Sequence, residues 1–170
     1  NPYQYDLEGA KKLLTDNGYT YDGDKLMKDG SQVTLVYYSY DGRLLNEMTE
    51  SHILYLTELG INVDLKESTS GDCWDQMGAG NYDLCNQNWT TVGNGDPTEY
   101  MANWYGKSGS NYCGYQSDEY DALYEEFLAT GDTDTRADLL QKMQQILVDD
   151  AVAIIDGYWS SSFAFNQNVG

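Results

Sequence analysis

An α/β fold, with a mainly parallel sheet flanked by helices, is what the element order of this sequence predicts, and three observations carry it. Between residues 31 and 85, runs rich in Val, Leu and Tyr alternate with runs of helical period in the order strand, helix, strand, helix, strand. The joins between them are short, which suits parallel strands linked by right-handed helical crossovers. At 170 residues the chain can build one good core, since a chain of that size buries about 70% of its unfolded surface. No repeat or low-complexity tract interrupts the order, and the loosest stretch, residues 107–111, is too short for a domain linker, so residues 1–170 are expected to form one unit.

The elements follow in turn. Asp6 is placed to cap a helix whose Leu7, Ala10, Leu13 and Leu14 share a face, and Asn17-Gly18 ends it. The pairs Asp22-Gly23 and Asp29-Gly30 flank residues 25–27 as turns, and residues 31–40 read as one strand closed by Asp41-Gly42. From residue 43 to 59, Leu45, Met48, His52, Leu56 and Leu59 follow the helical period until Gly60 stops it. Ile61, Val63 and Leu65 then alternate with polar residues as a half-wet strand, and a short helix over residues 72–77 leads through Gly78-Ala79-Gly80 to a strand near Leu84. Three helical stretches come next: residues 98–105, a stretch capped by Ser117 with Tyr120, Leu123, Tyr124, Phe127 and Leu128 on one stripe, and a stretch from Asp132 to about residue 150 with Leu140, Met143 and Leu147 inward. Residues 152–159 and 162–166 read as two final strands.

Charge removes whole classes of function. Asp and Glu number 28 against 9 Lys and Arg, and the net charge of -19 would repel a phosphate backbone, so nucleic acid is not an expected partner. No run approaches the roughly 18 apolar residues of a membrane helix, and the start Asn1-Pro2-Tyr3 lacks the pattern of a signal peptide. Cys73, Cys85 and Cys113 contain no CxxC pair and have one histidine for company, so no metal site is expected. Cys85 reads as a small buried residue; Cys73 and Cys113 could pair in an oxidising compartment, which spacing alone leaves open.

Catalysis finds little support. Ser51 and His52 are helix neighbours whose side chains diverge by about 100 degrees, and no GxSxG elbow is present. His52 lies on the apolar stripe with Met48 and Leu56 and reads as a satisfied, half-buried residue. The acids from Asp118 to Glu126 read as a solvated helix face. No enzyme activity and no cofactor are therefore expected.

The most informative segment is the strand that runs through Leu84 into a glycine-rich loop and a new helix. Gly93, Asn94 and Gly95 permit a sharp turn, Pro97 suits a first helical turn, and Asp96 is best read as that helix's cap. Ligands of open α/β sheets sit outside the carboxyl ends of the strands. That rule selects Tyr38, Ser39 and Tyr40 and the loop Trp89, Thr90, Thr91, Val92, Gly93, Asn94 and Asp96 as ligand-binding candidates, with Asn111 and Tyr112 joining them.

The residues also carry a resemblance. Asp6-Leu7-Glu8-Gly9-Ala10-Lys11-Lys12-Leu13-Leu14, then Leu59-Gly60-Ile61-Asn62-Val63, then Gly80-Asn81-Tyr82-Asp83-Leu84 resemble extracellular solute-binding proteins of family five. Trp89 with Gly95-Asp96-Pro97, Asn111 to Tyr115 with Tyr120-Asp121, and the helix from residue 137 to 150 are similar, in the same order, to that family's C-terminal lobe. The resemblance implies a periplasmic-binding-protein-like (type II) lobe, one of two, excised from a longer protein whose N-terminal lobe is missing here. It implies capture of short peptides or a nickel chelate outside the cytoplasm, periplasmic or lipid-anchored, and delivery to the permease subunits of an ABC importer without chemistry on the ligand. In peptide-binding members an aspartate shortly after the loop tryptophan pairs with the peptide amino group; here Val92 and Gly93 stand in that region. If the two lobes contribute comparably, this one alone should bind roughly a thousandfold more weakly or worse. The rival reading is a carbohydrate-binding or glycosidase domain, suggested by 16 Tyr and 4 Trp beside many carboxylates.

Overall fold

Asp6 starts the first helix, α1 (Leu7–Asp16), by accepting a hydrogen bond from the Gly9 amide at 2.8 Å. The computed structural model describes residues 4–158 and 164. Its apolar stripe is only partly covered: Leu7, Ala10 and Leu14 are half-buried, whereas Leu13 is exposed.

A small antiparallel sheet follows, β1 (Thr20–Asp22), β2 (Lys25–Lys28) and β3 (Ser31–Gln32), in that spatial order. Asp29 and Gly30 join β2 to β3 with φ of 50° and 80°, the pair of left-handed residues that a tight hairpin with the strands' twist demands. The single strand expected over residues 31–40 is therefore two. Val33 marks the break: its amide donates to Leu26 in the hairpin, while its carbonyl accepts from Asn62, so the chain changes sheets there.

Beyond Val33 the predicted parallel sheet is present. It comprises β4 (Thr34–Tyr40), β5 (Asn62–Ser68) and β6 (Leu84–Cys85), with β4 central and both neighbours parallel to it. Helix α2 (Leu45–Glu58) joins β4 to β5, and α3 (Ser70–Ala79), capped by the Thr69 hydroxyl on the Asp72 amide, joins β5 to β6. The predicted helix start at residue 43 is too early. Arg43 and Leu44 sit at φ of 52° and 62°, outside right-handed helix, and each such residue costs roughly 1–2 kcal/mol.

The last part is helical: α4 (Thr98–Met101), a 3-10 turn (Ala102–Trp104), α5 (Asp118–Ala129) and α6 (Thr133–Asp149). Ser117 caps α5 as the sequence predicts, and Asp132, expected near the start of α6 for its charge, caps that helix. Met101, Trp104, Tyr120, Tyr124, Phe127, Leu139, Met143 and Leu147 form one buried cluster between them. The buried phenols are not left unpaired, since Tyr120 donates to the Met101 carbonyl at 2.7 Å and Tyr124 to that of Thr98 at 3.2 Å. Leu128, expected on the stripe, is 52% exposed, and Leu139 is buried where Leu140 is only partly so.

Over its described residues, 152–158, the first predicted final strand is absent. Residues 152–158 pair with no strand, and Ile154 and Tyr158 stand 75% and 76% exposed. The segment is held instead by Asp156, whose carboxylate accepts from His52 Nε2 at 2.9 Å. The second, residues 162–166, lies outside the described residues apart from Ala164. Among the described residues, no helix is long and apolar enough to cross a membrane.

Candidate functional site

Alternation along β4 sends its side chains to two faces with different tasks. Tyr37 and Ser39 point to α2. The Tyr37 hydroxyl donates to His52 Nδ1 at 2.6 Å, and burial pushes that phenol up to about 12. Ser39 is buried beside the Thr49 hydroxyl at 2.8 Å, and Asn86 Nδ2 reaches both Thr49 Oγ1 at 3.0 Å and the Leu45 carbonyl at 3.1 Å. Ser39 thus holds β4 to α2 from inside, and its hydroxyl does not reach the surface where a ligand would lie. Tyr38 and Tyr40, half-buried, take the opposite face at the carboxyl end of the central strand. Ser51 donates to the Glu47 carbonyl at 3.1 Å, away from His52, so no nucleophile-base pair forms.

The loop after β6 turns as its glycines predict. Asn94 and Gly95 lie at φ of 51° and 82°, and the Asp96 amide closes the turn on the Gly93 carbonyl at 2.9 Å. Asp96 then braces the start of α4 from the residue before its N-cap, Pro97: Oδ1 accepts from the Thr98 amide at 2.7 Å, and Oδ2 faces Arg136 at 3.1 Å. These hydrogen bonds, led by the Thr98 hydroxyl, hold the carboxyl below its usual range. Both oxygens are engaged within the fold. Thr90 and Val92 are exposed and Thr91 is half-buried, which leaves the loop from Trp89 to Gly95 without an acid.

Trp89 meets a residue that the sequence reading passed over. Trp74, in the second turn of α3, sits edge-on to Trp89 with ring centroids 4.9 Å apart, and its other side meets Tyr112 at 5.6 Å. Edge-to-face pairs at such distances are the favoured geometry of aromatic rings. The loop that carries Tyr112 is ordered by Asn111, whose Nδ2 donates to the Tyr115 carbonyl at 2.8 Å while Oδ1 accepts from the Tyr115 amide at 3.2 Å. Tyr82 fastens the same loop to the sheet by donating to the Tyr112 carbonyl at 3.0 Å. Trp74, Trp89 and Tyr112, from three separate elements, therefore form an aromatic wall at the carboxyl edge of the parallel sheet. Asn111 shapes that wall. A helical Trp between Cys73 and Asp75 reads as core by default; only the crossover that brings α3 over this edge reveals it.

The grooves elsewhere are different in kind. One runs between α5 and α6 along Glu119, Lys142 and Asp149, and one lies between Lys11, Tyr21 and Glu58; neither includes a residue of the wall. Among the described residues, no three of His, Cys, Asp or Glu converge as a metal-ligand set.

Comparison with known proteins places this geometry in a family context. Residues 1–112 match the family model of bacterial extracellular solute-binding proteins, family 5 Middle. The probable D,D-dipeptide-binding periplasmic protein DdpA of Escherichia coli is 32% identical over 118 residues, covering 67% of this chain and 23% of that protein. Among solved structures, a nickel ABC transporter protein from Bacillus halodurans superposes with a TM-score of 0.77 at 20% identity, over 89% of this chain and 32% of that one. The oligopeptide-binding protein AppA from Bacillus subtilis, solved with a nonapeptide, gives 0.74 at 19% identity, over 88% and 31%. The chain spans about a quarter of the curated relative and a third of these structures.

Proposed function

The chain belongs to the bacterial extracellular solute-binding proteins of family 5, and we propose that it forms one side of a ligand cleft that captures short peptides or a nickel chelate outside the cytoplasm for an ABC permease. In this reading residues 1–170 are one lobe of a two-lobe protein. A wall on one lobe needs a facing surface, and hinge closure of the kind many binding proteins use would supply it. The reading rests chiefly on the wall of Trp74, Trp89 and Tyr112 at the strand ends, where open α/β sheets take their ligands. In this reading Tyr38 and Tyr40 at the end of β4 and Thr90, Thr91 and Val92 of the loop supply further contacts, whereas Ser39, Asn111 and Asp96 act as structural support.

The wall offers rings, and its loop offers no carboxylate. Asp96 is committed to Thr98 and Arg136, and nothing else acidic lies between Trp89 and Gly95. A peptide held here is recognised by apolar and backbone contacts, with little contribution from its amino group on this side. Calorimetry on the full-length protein tests this with di- to pentapeptides in free and N-acetylated form, nickel-histidine and an oligosaccharide. The expected result is binding of peptide or nickel chelate, less than a fivefold loss on acetylation of a bound peptide, and at least a tenfold loss in Trp89→Ala, about 1.4 kcal/mol. Binding of the oligosaccharide alone would overturn the transport ligand proposed, and a hundredfold loss on acetylation would restore an amino-group site.

A further inference from the structure

Helix α3 and strand β6 bring two thiols together. Cys85 is in register with Tyr38 on β4 and so shares the face that α3 covers, opposite the one on which Asn86 meets α2. Cys73 is fully buried on α3, and Met77 lies one turn further along the same helix. Gln87 Nε2 stands 3.3 Å from Cys85 Sγ and 3.2 Å from Met77 Sδ, which brings Cys85 under that helix face. The Cys73 and Cys85 thiols lie near enough that each shifts the acidity of the other. Cys113 is exposed and donates to Asn111 Oδ1 at 3.3 Å, so the Cys73–Cys113 pairing that the sequence left open is not the one the fold brings together. All three are free thiols in this structure.

We propose that Cys73 and Cys85 form a disulfide that staples α3 to β6. Cys73 immediately precedes Trp74, and Cys85 leads by a short segment to Trp89, so the bond would fix the two rings of the aromatic wall against each other. The oxidant is an external disulfide, either of a thiol oxidoreductase or of a small molecule. The Cys85 thiolate attacks one of its sulfurs, forming a mixed disulfide and expelling a thiolate; the Cys73 thiolate then attacks Cys85 Sγ and expels the other. Two protons leave the cysteines, their sulfurs lose two electrons, and the oxidant's disulfide is reduced to two thiols. Burial raises both thiols, Cys85 to about 11, which slows attack in the folded state and favours closure while the chain is folding. Once made, the bond is shielded because Cys73 has no exposed surface. The pairing rests on this geometry alone; only its occupancy in the cell rests on the extracytoplasmic location proposed above.

The test uses this chain and its Cys113→Ser variant, refolded in oxidised and reduced glutathione, then denatured and alkylated. The variant should take no alkyl group before reduction and two after it, with an unalkylated mass about 2 Da below the dithiol form. Cyanogen bromide cleaves after Met77, between the two cysteines, and its fragments should stay joined until reduced. The oxidised form should melt about 5–10 °C above the reduced one. Two groups taken up without reduction overturn the proposal. So does a linkage through Cys113 in the unsubstituted chain, or an oxidised form that melts no higher.

Discussion

Helices α5 and α6 close over Met101, Phe127, Leu139 and Met143, whereas the sheet of β4, β5 and β6 meets α2 through Ser39, Thr49 and Asn86. The first interior is apolar with its few hydroxyls satisfied; the second is laced by side-chain hydrogen bonds. Apolar burial is non-directional and sums over area, so the helical half draws its stability from volume filled. A polar network fixes geometry instead, because each buried group is costly when unpaired. The half that carries the strand ends of the wall is thus the half whose packing is specified by direction.

The largest expected effect breaks the apolar side of this contrast. Phe127 is fully buried, packs beside Tyr124, and has the Arg136 guanidinium 3.7 Å from its ring centre. Phe127→Ala should cost about 3–5 kcal/mol in urea unfolding, through lost burial and the cavity left behind. Thr49→Val comes next. It keeps the volume but removes the hydroxyl between Ser39 and Asn86, leaving Asn86 Nδ2 with only the Leu45 carbonyl. About 1–2 kcal/mol is expected. If Thr49→Val costs as much as Phe127→Ala, the two interiors are not held in different ways.

The same contrast explains what the sequence made legible. The stripe of Tyr120, Tyr124 and Phe127 repeats with the helical period, and the caps Asp6 and Ser117 and the charge of Asp132 at a helix start are local signals, so these read directly. The parallel sheet was likewise readable from alternation and short joins. What depends on partners distant in sequence was not. Residues 31–40 have continuous strand propensity, yet Val33 divides them because its amide and carbonyl pair with different sheets. Val152, Ile154 and Ile155 look like strand residues, but among the described residues no strand receives them, and Asp156 fastens the segment to His52. At the site, the turn at Asn94-Gly95 was readable from residue type, and so was the place of Asp96 beside the helix start, although Pro97 is the N-cap. The burial of Ser39 and the arrival of Trp74 beside Trp89 follow from the crossovers, which no local pattern encodes.

The smallest effect concerns charge at the junction of the two halves, where Asp96 ends the loop after β6 and begins the helical part. The Thr98 hydroxyl and amide and the Arg136 guanidinium depress its folded-state value below the usual carboxylate range. A depressed carboxylate contributes stability that is complete above its unfolded value, near 3.9, and is lost as pH falls through the lower folded value. Asp132 at the start of α6 and Asp72 at the start of α3 are depressed in the same sense, by Thr135 and by Thr69 with Ser68. Acid should therefore loosen helix starts in both halves, with Asp96 accounting for part of the loss. Asp96→Asn retains an acceptor oxygen for Thr98 but gives up the charge opposite Arg136. Thermal melts at pH 6, 4 and 3 should show a smaller drop in Tm for the variant than for the parent chain, and equal drops would mean that the Asp96 charge does not couple the loop to α6.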